Sequence, residues 1–117
     1  MSLSALFGRR DQSGWIEPQD LVASLTADTP PLVVDVRSPA EFTGPLGHIA
    51  DAVNIPLDVF AASVAEVTGP ARPVVLVCHT DRRSSAAAQH LRGLGVTDVA
   101  VLRGGMTAWT QAGLAVA

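Results

Sequence analysis

"VVLVCHTDRRSSAAAQHLRGLG", residues 74–95, passes from a β-branched apolar run, through a short polar stretch with two adjacent arginines, into an alanine-rich segment. The apolar residues of the first part are continuous, not alternating. A strand reads that way when both of its faces are covered, as in a parallel sheet flanked by helices. The second part spaces Ala87, Leu91 and Leu94 for one face of a helix. The segment therefore predicts a central strand, a tight turn and a helix. Cys78, the single cysteine of the chain, closes the strand where polarity begins, a position that predicts an exposed thiol.

Two further runs share the continuous pattern, "PLVVDV" (31–36) and "DVAVLR" (98–103). "AVNI" (52–55) is a weaker fourth strand and "GWI" (14–16) a short edge strand. Between them lie helix signals at 17–27, 38–42, 57–67, 84–94 and 104–113. Pro18 and Pro39 each stand at a first-turn position, where no N–H is needed. Ser38 and Glu41 have the spacing of a capping box, and Gly113 can end the last helix. Strands alternating with helices imply right-handed crossovers and an α/β domain, with a mostly parallel central sheet and helices on both faces. In such folds ligands bind beyond the carboxyl ends of the strands, where Cys78 lies.

The chain's 117 residues suit one domain. Residues 1–14 read as a loosely attached segment, with a tag scar conceivable at 1–3, and 15–117 as the domain. A net charge of −3 with scattered acids argues against nucleic acid and anionic membrane as partners. All eight cationic residues are arginine, in no spatial pattern. One cysteine cannot form an internal disulfide, and neither a secretory pattern nor a run near the ~20 apolar residues of a membrane span is present, so the expectation is a cytoplasmic protein. No spacing suggests a metal, and no Gly-rich phosphate loop appears, so no cofactor is expected.

A strand ending at Cys78 and a helix beginning near Ser84 force residues 79–84 into a turn whose backbone N–H groups gather around the sulfur. The helix dipole and the charges of Arg82 and Arg83 add to the attraction for an anion. Such surroundings favour the thiolate, which is the nucleophilic form. The competing reading is a small buried hydrophobe that happens to end a strand. His79 is a loop side chain within reach of a ligand or only of solvent, His90 belongs to a solvated helix face, and His48, after Gly47 in a turn, reads as structural.

Four segments resemble the rhodanese-like (sulfurtransferase) family: "WIEPQDL" (15–21), "VVDVRSPAEFTGPLGHIADAVNIP" (33–56), "VCHTDRRS" (77–84) and "LRGGMTAW" (102–109). The resemblance implies a single-domain sulfurtransferase in which Cys78 takes a sulfane sulfur from a donor such as thiosulfate and passes it on from a persulfide. The acceptor would be a thiol, cyanide or a protein. It also implies that His79, Thr80, Asp81, Arg82, Arg83 and Ser84 form the loop that binds the anion, with Arg83 holding the loop or the anion. Asp35, Arg37, Glu41 and His48 become scaffold, Arg37 and Glu41 pairing across one helical turn. The alternative is a sulfur-relay or regulatory module with little small-molecule turnover.

Related folds serve cell-cycle phosphatases, whose loop places five residues between cysteine and arginine. Here four separate Cys78 from Arg83, which favours sulfur transfer. Asp81 departs from the glycine that many active family members carry. A carboxylate facing the pocket would repel a dianion, and one facing outward would pair with Arg82 or Arg83. The sequence leaves the oligomeric state open.

Overall fold

A computed structural model describes residues 14–63, 65 and 72–117. Five strands, β1 (Trp15–Ile16), β2 (Leu32–Asp35), β3 (Val53–Asn54), β4 (Val74–Val77) and β5 (Val99–Leu102), form one sheet in the order β1-β5-β4-β2-β3. Every pairing is parallel. The helices are α1 (Pro18–Leu25), α2 (Pro39–Phe42), α3 (Leu57–Ser63), α4 (Arg82–Gly93) and α5 (Gly105–Gln111).

The continuous apolar runs behave as two-sided strands. Val34, Val36, Val74, Leu76, Cys78, Val99 and Val101 face one side, where Phe60 of α3 and Ala87, Ala88 and Leu91 of α4 cover them. Val33, Val75, Val77, Ala100 and Leu102 face the other side, under Leu21 of α1 and Met106 and Trp109 of α5. Every residue of β4 and β5 is buried. Burial of each such aliphatic side chain stabilises the fold by roughly 1.5–3 kcal/mol, so the two faces together anchor β4, and with it whatever follows Val77.

Several boundaries differ from expectation. α1 stops at Leu25, and α4 begins at Arg82, two residues before Ser84. Leu94 is its C-cap and is 56% exposed, so the apolar face of α4 ends at Leu91. Much of the helix signal at 57–67 beyond Ser63, and the loosely attached segment up to residue 13, lie outside the described residues. Gly14 is described, and its carbonyl accepts from Val101 N–H at 2.8 Å. The helix-ending role of Gly113 holds: it follows the C-cap Ala112 with φ +74°, which favours glycine. Among the described residues no helix is long and apolar enough to cross a membrane.

Candidate functional site

Because β4 is central, its exit loop lies between the segments that follow β2 and β5. The loop is fastened to both. On the β5 side, α5 presents its first amides: Met106 N–H donates to the Cys78 carbonyl at 2.9 Å and Thr107 N–H to the His79 carbonyl at 3.1 Å. This approach requires the consecutive glycines before it. Gly104 and Gly105 have φ of +76° and +57°, and a Cβ on Gly105 would run into the carbonyl oxygens of Cys78, His79 and Thr80. No cis peptide occurs among the described residues, so each carbonyl drawn toward α5 turns the N–H of the same peptide unit, that of His79 and of Thr80, the opposite way.

The next amides belong to the first turn of α4. Those of Arg82, Arg83 and Ser84 precede the first helical bond, from Ser85 N–H to the Asp81 carbonyl at 2.9 Å. Asp81 is the N-cap residue, but its side chain does not cap. Its Oδ1 instead accepts from Gly104 N–H at 2.7 Å. The carboxylate therefore latches the loop to the turn before α5, which corrects both expected pairings, with Arg82 and with Arg83.

On the β2 side, Arg83 reaches Glu41 of α2 with two bonds, Nη1 to Oε1 at 2.7 Å and Nη2 to Oε2 at 2.9 Å. The Arg83 guanidinium, chiefly through these bonds, holds the Glu41 carboxyl down at about 2 from its ordinary 4.5; partial burial opposes the shift and Ser38 assists it. The pair raises Arg83 in turn, and partial burial opposes that rise. Glu41 also completes the capping box expected of "SPAEF": Ser38 N–H donates to Oε1 at 3.0 Å, and Glu41 N–H to Ser38 Oγ at 3.2 Å.

Arg37 does not pair with the Glu41 carboxylate. It precedes the N-cap of α2, outside the helix, and folds back onto Asp35, with Nε 3.0 and 3.1 Å from the two carboxylate oxygens and Nη2 2.8 Å from Oδ2. Nη1 and Nη2 also donate to the carbonyls of Glu41 and Gly47, at 3.1 and 2.8 Å. Asp35 and Arg37 are each 1% exposed. Together they hold the end of β2, the end of α2 and the turn at Gly47. His48 belongs to the same scaffold: its Nδ1 lies 2.8 Å from the Phe42 carbonyl and its ring stacks on Phe42 at 3.7 Å.

Cys78 is 1% exposed, which overturns the expectation of an exposed thiol: the strand ends in a polar boundary, but α4 packs over the residue that follows it. Ser84, 0% exposed, is its polar neighbour, with Oγ 3.2 Å from Sγ and 3.1 Å from the Asp81 carbonyl. His79 and Thr80 are exposed, and His79 Nε2 lies 3.4 Å from Thr107 Oγ1. Arg82 is exposed, and so is His90, whose ring meets the edge of Phe60.

A groove of about 610 Å³ opens beside this loop, with Val36, Pro39, Pro56 and Leu57 among its walls and Arg83 at its edge; Cys78 does not line it. A second cavity of similar volume, walled by Pro30, Pro31, Leu32 and Arg72 among others, lies toward the amino ends of β2 and β4 and contains none of the candidate residues. Among the described residues no group of three or more His, Cys, Asp or Glu side chains could hold a metal ion.

Two parts of the site had no assigned role in the sequence reading. Gly104 and Gly105 orient the loop, and the side-chain amide of Asn54 donates to the carbonyls of Asp35 and Arg37, at 3.0 and 2.9 Å, tying β3 to the Arg37 knot. The double glycine after a strand was the available signal for the first. Asn54 falls within the 33–56 segment that carries the family resemblance, but its role was not readable, because its partners are backbone atoms 19 and 17 residues away.

The chain spans about half the length of the curated relatives it first matches. An uncharacterized protein of Synechocystis sp. is 43% identical over 84 residues, 71% of this chain and 45% of that protein. A sulfurtransferase of Allochromatium vinosum is 34% identical over 99 residues, 85% of this chain and 90% of that protein. The crystal structure of a rhodanese-related protein from Thermoplasma volcanium superposes with a TM-score of 0.77 at 27% identity, covering 88% of this chain and 96% of that one. The rhodanese-like domain model matches residues 17–112, and with the parallel sheet and the loop after β4 this makes the chain a member of the rhodanese-like domain family.

Proposed function

We propose that this protein is a sulfurtransferase that carries sulfane sulfur as a persulfide on Cys78. The general kind of activity is supported by membership of the family and by the likeness to the Allochromatium vinosum sulfurtransferase. The observation that carries the residue assignment is the treatment of the loop's peptides. Their carbonyls at Cys78 and His79 are taken by α5, and the first-turn amides of α4 are left without a side-chain cap, at the carboxyl end of the central strand where Cys78 stands.

Unpaired N–H groups at a helix N-terminus favour negative charge. Both the thiolate and the persulfide anion are such charges. With thiosulfate as donor, the Cys78 thiolate attacks the outer sulfur and a sulfur–sulfur bond forms. The bond from that sulfur to the sulfonyl group breaks, and sulfite leaves with the electron pair, so charge balances at −3 on each side. An acceptor thiolate or cyanide then attacks the outer sulfur of the persulfide, and Cys78 leaves as thiolate. No cofactor enters either step. His79, Thr80, Asp81, Arg82 and Arg83 form the rim of this site, with Ser84 buried beneath them beside Cys78, and a lone thiol suits a reducing cytoplasm.

A second reading, a relay module that takes sulfur from a protein persulfide, is favoured by the near-complete burial of Cys78 and by the apolar groove next to Arg83, which a partner's chain could enter more readily than a hydrated dianion. One experiment addresses both. Intact mass measured after exposure to thiosulfate, and separately to a persulfide-loaded desulfurase, should show one added sulfur on the Cys78 peptide, and none in Cys78→Ser. Uptake from the protein donor alone selects the relay. Uptake from neither ends the proposal.

A further inference from the structure

The Ser84 hydroxyl is the one side-chain group in direct polar contact with Cys78 among the described residues, and it is shared between two partners. Its Oγ lies 3.2 Å from Cys78 Sγ and 3.1 Å from the Asp81 carbonyl oxygen. A hydroxyl has one proton to donate and lone pairs to accept with, whereas a carbonyl oxygen can only accept. The direction of both bonds follows from the state of the sulfur. In the thiol state, S–H donates to Ser84 Oγ and the hydroxyl donates to Asp81. In the thiolate state the sulfur has no proton and can only accept, so the hydroxyl turns its proton to Sγ. The Asp81 carbonyl is not orphaned by that rotation, since it also accepts Ser85 N–H at 2.9 Å. The pocket is dry here, with Ser84 at 0% and Cys78 at 1% exposure, so no bulk water competes for either bond.

We propose that Ser84 is a catalytic residue whose hydroxyl serves the second half of sulfur transfer, by donating to Cys78 Sγ as that atom becomes a leaving group. The proposal rests on Cys78 being the sulfur carrier. In the persulfide the charge is on the outer sulfur, Sγ is a poor acceptor, and the hydroxyl proton returns to the Asp81 carbonyl. When an acceptor anion attacks the outer sulfur, the bond between that sulfur and Sγ breaks and its electron pair moves onto Sγ. The hydroxyl bond to Sγ strengthens as the charge arrives, so it is worth more in the transition state than in the ground state and accelerates release. With cyanide as acceptor, two anions enter and two leave, thiocyanate and the Cys78 thiolate, with no oxidation and no proton needed. Loading runs the other way. There the same bond enlarges the thiolate fraction while damping the attack of that thiolate, and the two effects oppose each other.

The test separates the half-reactions. Protein loaded with sulfur and freed of excess donor is mixed with cyanide in a rapid-mixing instrument, and thiocyanate is followed over a single turnover; loading is timed separately by mass. In Ser84→Ala, release should slow by about tenfold and loading change by less than about threefold, with Ser84→Thr, which keeps a hydroxyl, restoring release. Equal slowing of both steps, or release within twofold of the unaltered protein in a folded Ser84→Ala variant, overturns the role. A readout free of sulfur donors guards against failure of the functional reading itself. The rate of Cys78 alkylation by iodoacetamide against pH should be displaced toward higher pH in Ser84→Ala. If the unaltered protein takes up no sulfur from any donor, the sulfurtransferase reading falls, and an undisplaced alkylation profile then rejects the hydroxyl contact as well.

Discussion

The two ion pairs that flank the candidate loop are built from the same chemistry and do different work. Asp35 and Arg37 are two residues apart, 1% exposed, and hydrogen-bonded at nearly every polar atom. Glu41 and Arg83 are 42 residues apart and about one third exposed, and they join α2 to the first turn of α4. A buried charge that loses its partner is left without water to replace it, whereas an exposed one is resolvated at little cost. The first pair is thus part of what keeps the carboxyl end of β2 in one conformation. The second adjusts how firmly the candidate loop is held.

The largest expected effect breaks the buried pair from one side. Arg37→Met leaves the Asp35 carboxylate buried without its guanidinium and frees the carbonyls of Glu41 and Gly47, and should cost about 3–5 kcal/mol in unfolding free energy. Since domains of this kind are stable by only about 5–15 kcal/mol, such a variant stands near the limit of folding. Urea titration measures it. A loss below about 1 kcal/mol would mean that the buried pair is no more structural than the exposed one.

Asp81 sharpens the contrast, because its carboxylate carries the latch and the one acidic charge of the loop at once. Asp81→Asn keeps an oxygen for Gly104 N–H and removes the charge, so thiosulfate turnover should rise by a factor of about 3–10 in kcat/KM, as expected for relief of a partly screened repulsion of about 1 kcal/mol. Asp81→Gly removes the latch as well, and should lower transfer from both thiosulfate and a protein persulfide. Neither change should approach Arg37→Met in its cost to stability. Turnover rising equally in both variants would show that the latch does nothing, and turnover unchanged in the asparagine variant would show that the charge does not face the donor.

How much of this was readable beforehand follows from the range of each interaction. The continuous runs at 31–36, 73–78 and 98–103 predict two-sided strands, and the strands are there, because burial on both faces demands that pattern of any sequence. The Ser38 and Glu41 capping box was readable for the same reason, since its partners are three residues apart on one helical turn. The expected Arg37–Glu41 pair failed because helical spacing was applied to a residue that is not in the helix. The bonds from Glu41 to Arg83 and from Asp81 to Gly104 were out of reach for a different reason. They exist only because β4 lies between β2 and β5, and strand order is a property of the assembled sheet. Cys78 was placed as the last strand residue, one position past the observed end at Val77, and wrongly in solvent, since the polarity boundary marks roughly where a strand stops and says nothing of what packs over it.

The smallest effect concerns the exposed pair and is read through pH. Glu41 is held at about 2 in the folded protein against 4.5 ordinarily, so between those values the unfolded chain binds a proton that the folded chain refuses. The stabilisation is complete above 4.5 and fades as pH falls toward about 2, so stability rises with pH across that window. Because the pair is about one third exposed, solvent screening limits its contribution to about 0.3–1 kcal/mol, whatever the size of the shift. Glu41→Gln should therefore lower stability at pH 7 by no more than about 1 kcal/mol, and the difference from the unaltered protein should shrink on going from pH 5 to pH 2.5. Salt should shrink it too, in contrast to Arg37→Met, whose cost at pH 7 should be nearly the same in 0.05 M and 0.5 M sodium chloride because water and ions do not reach that site. A Glu41→Gln difference that persists undiminished at pH 2.5 would assign the loss to the capping box at Ser38 and leave the bridge to Arg83 without measurable weight.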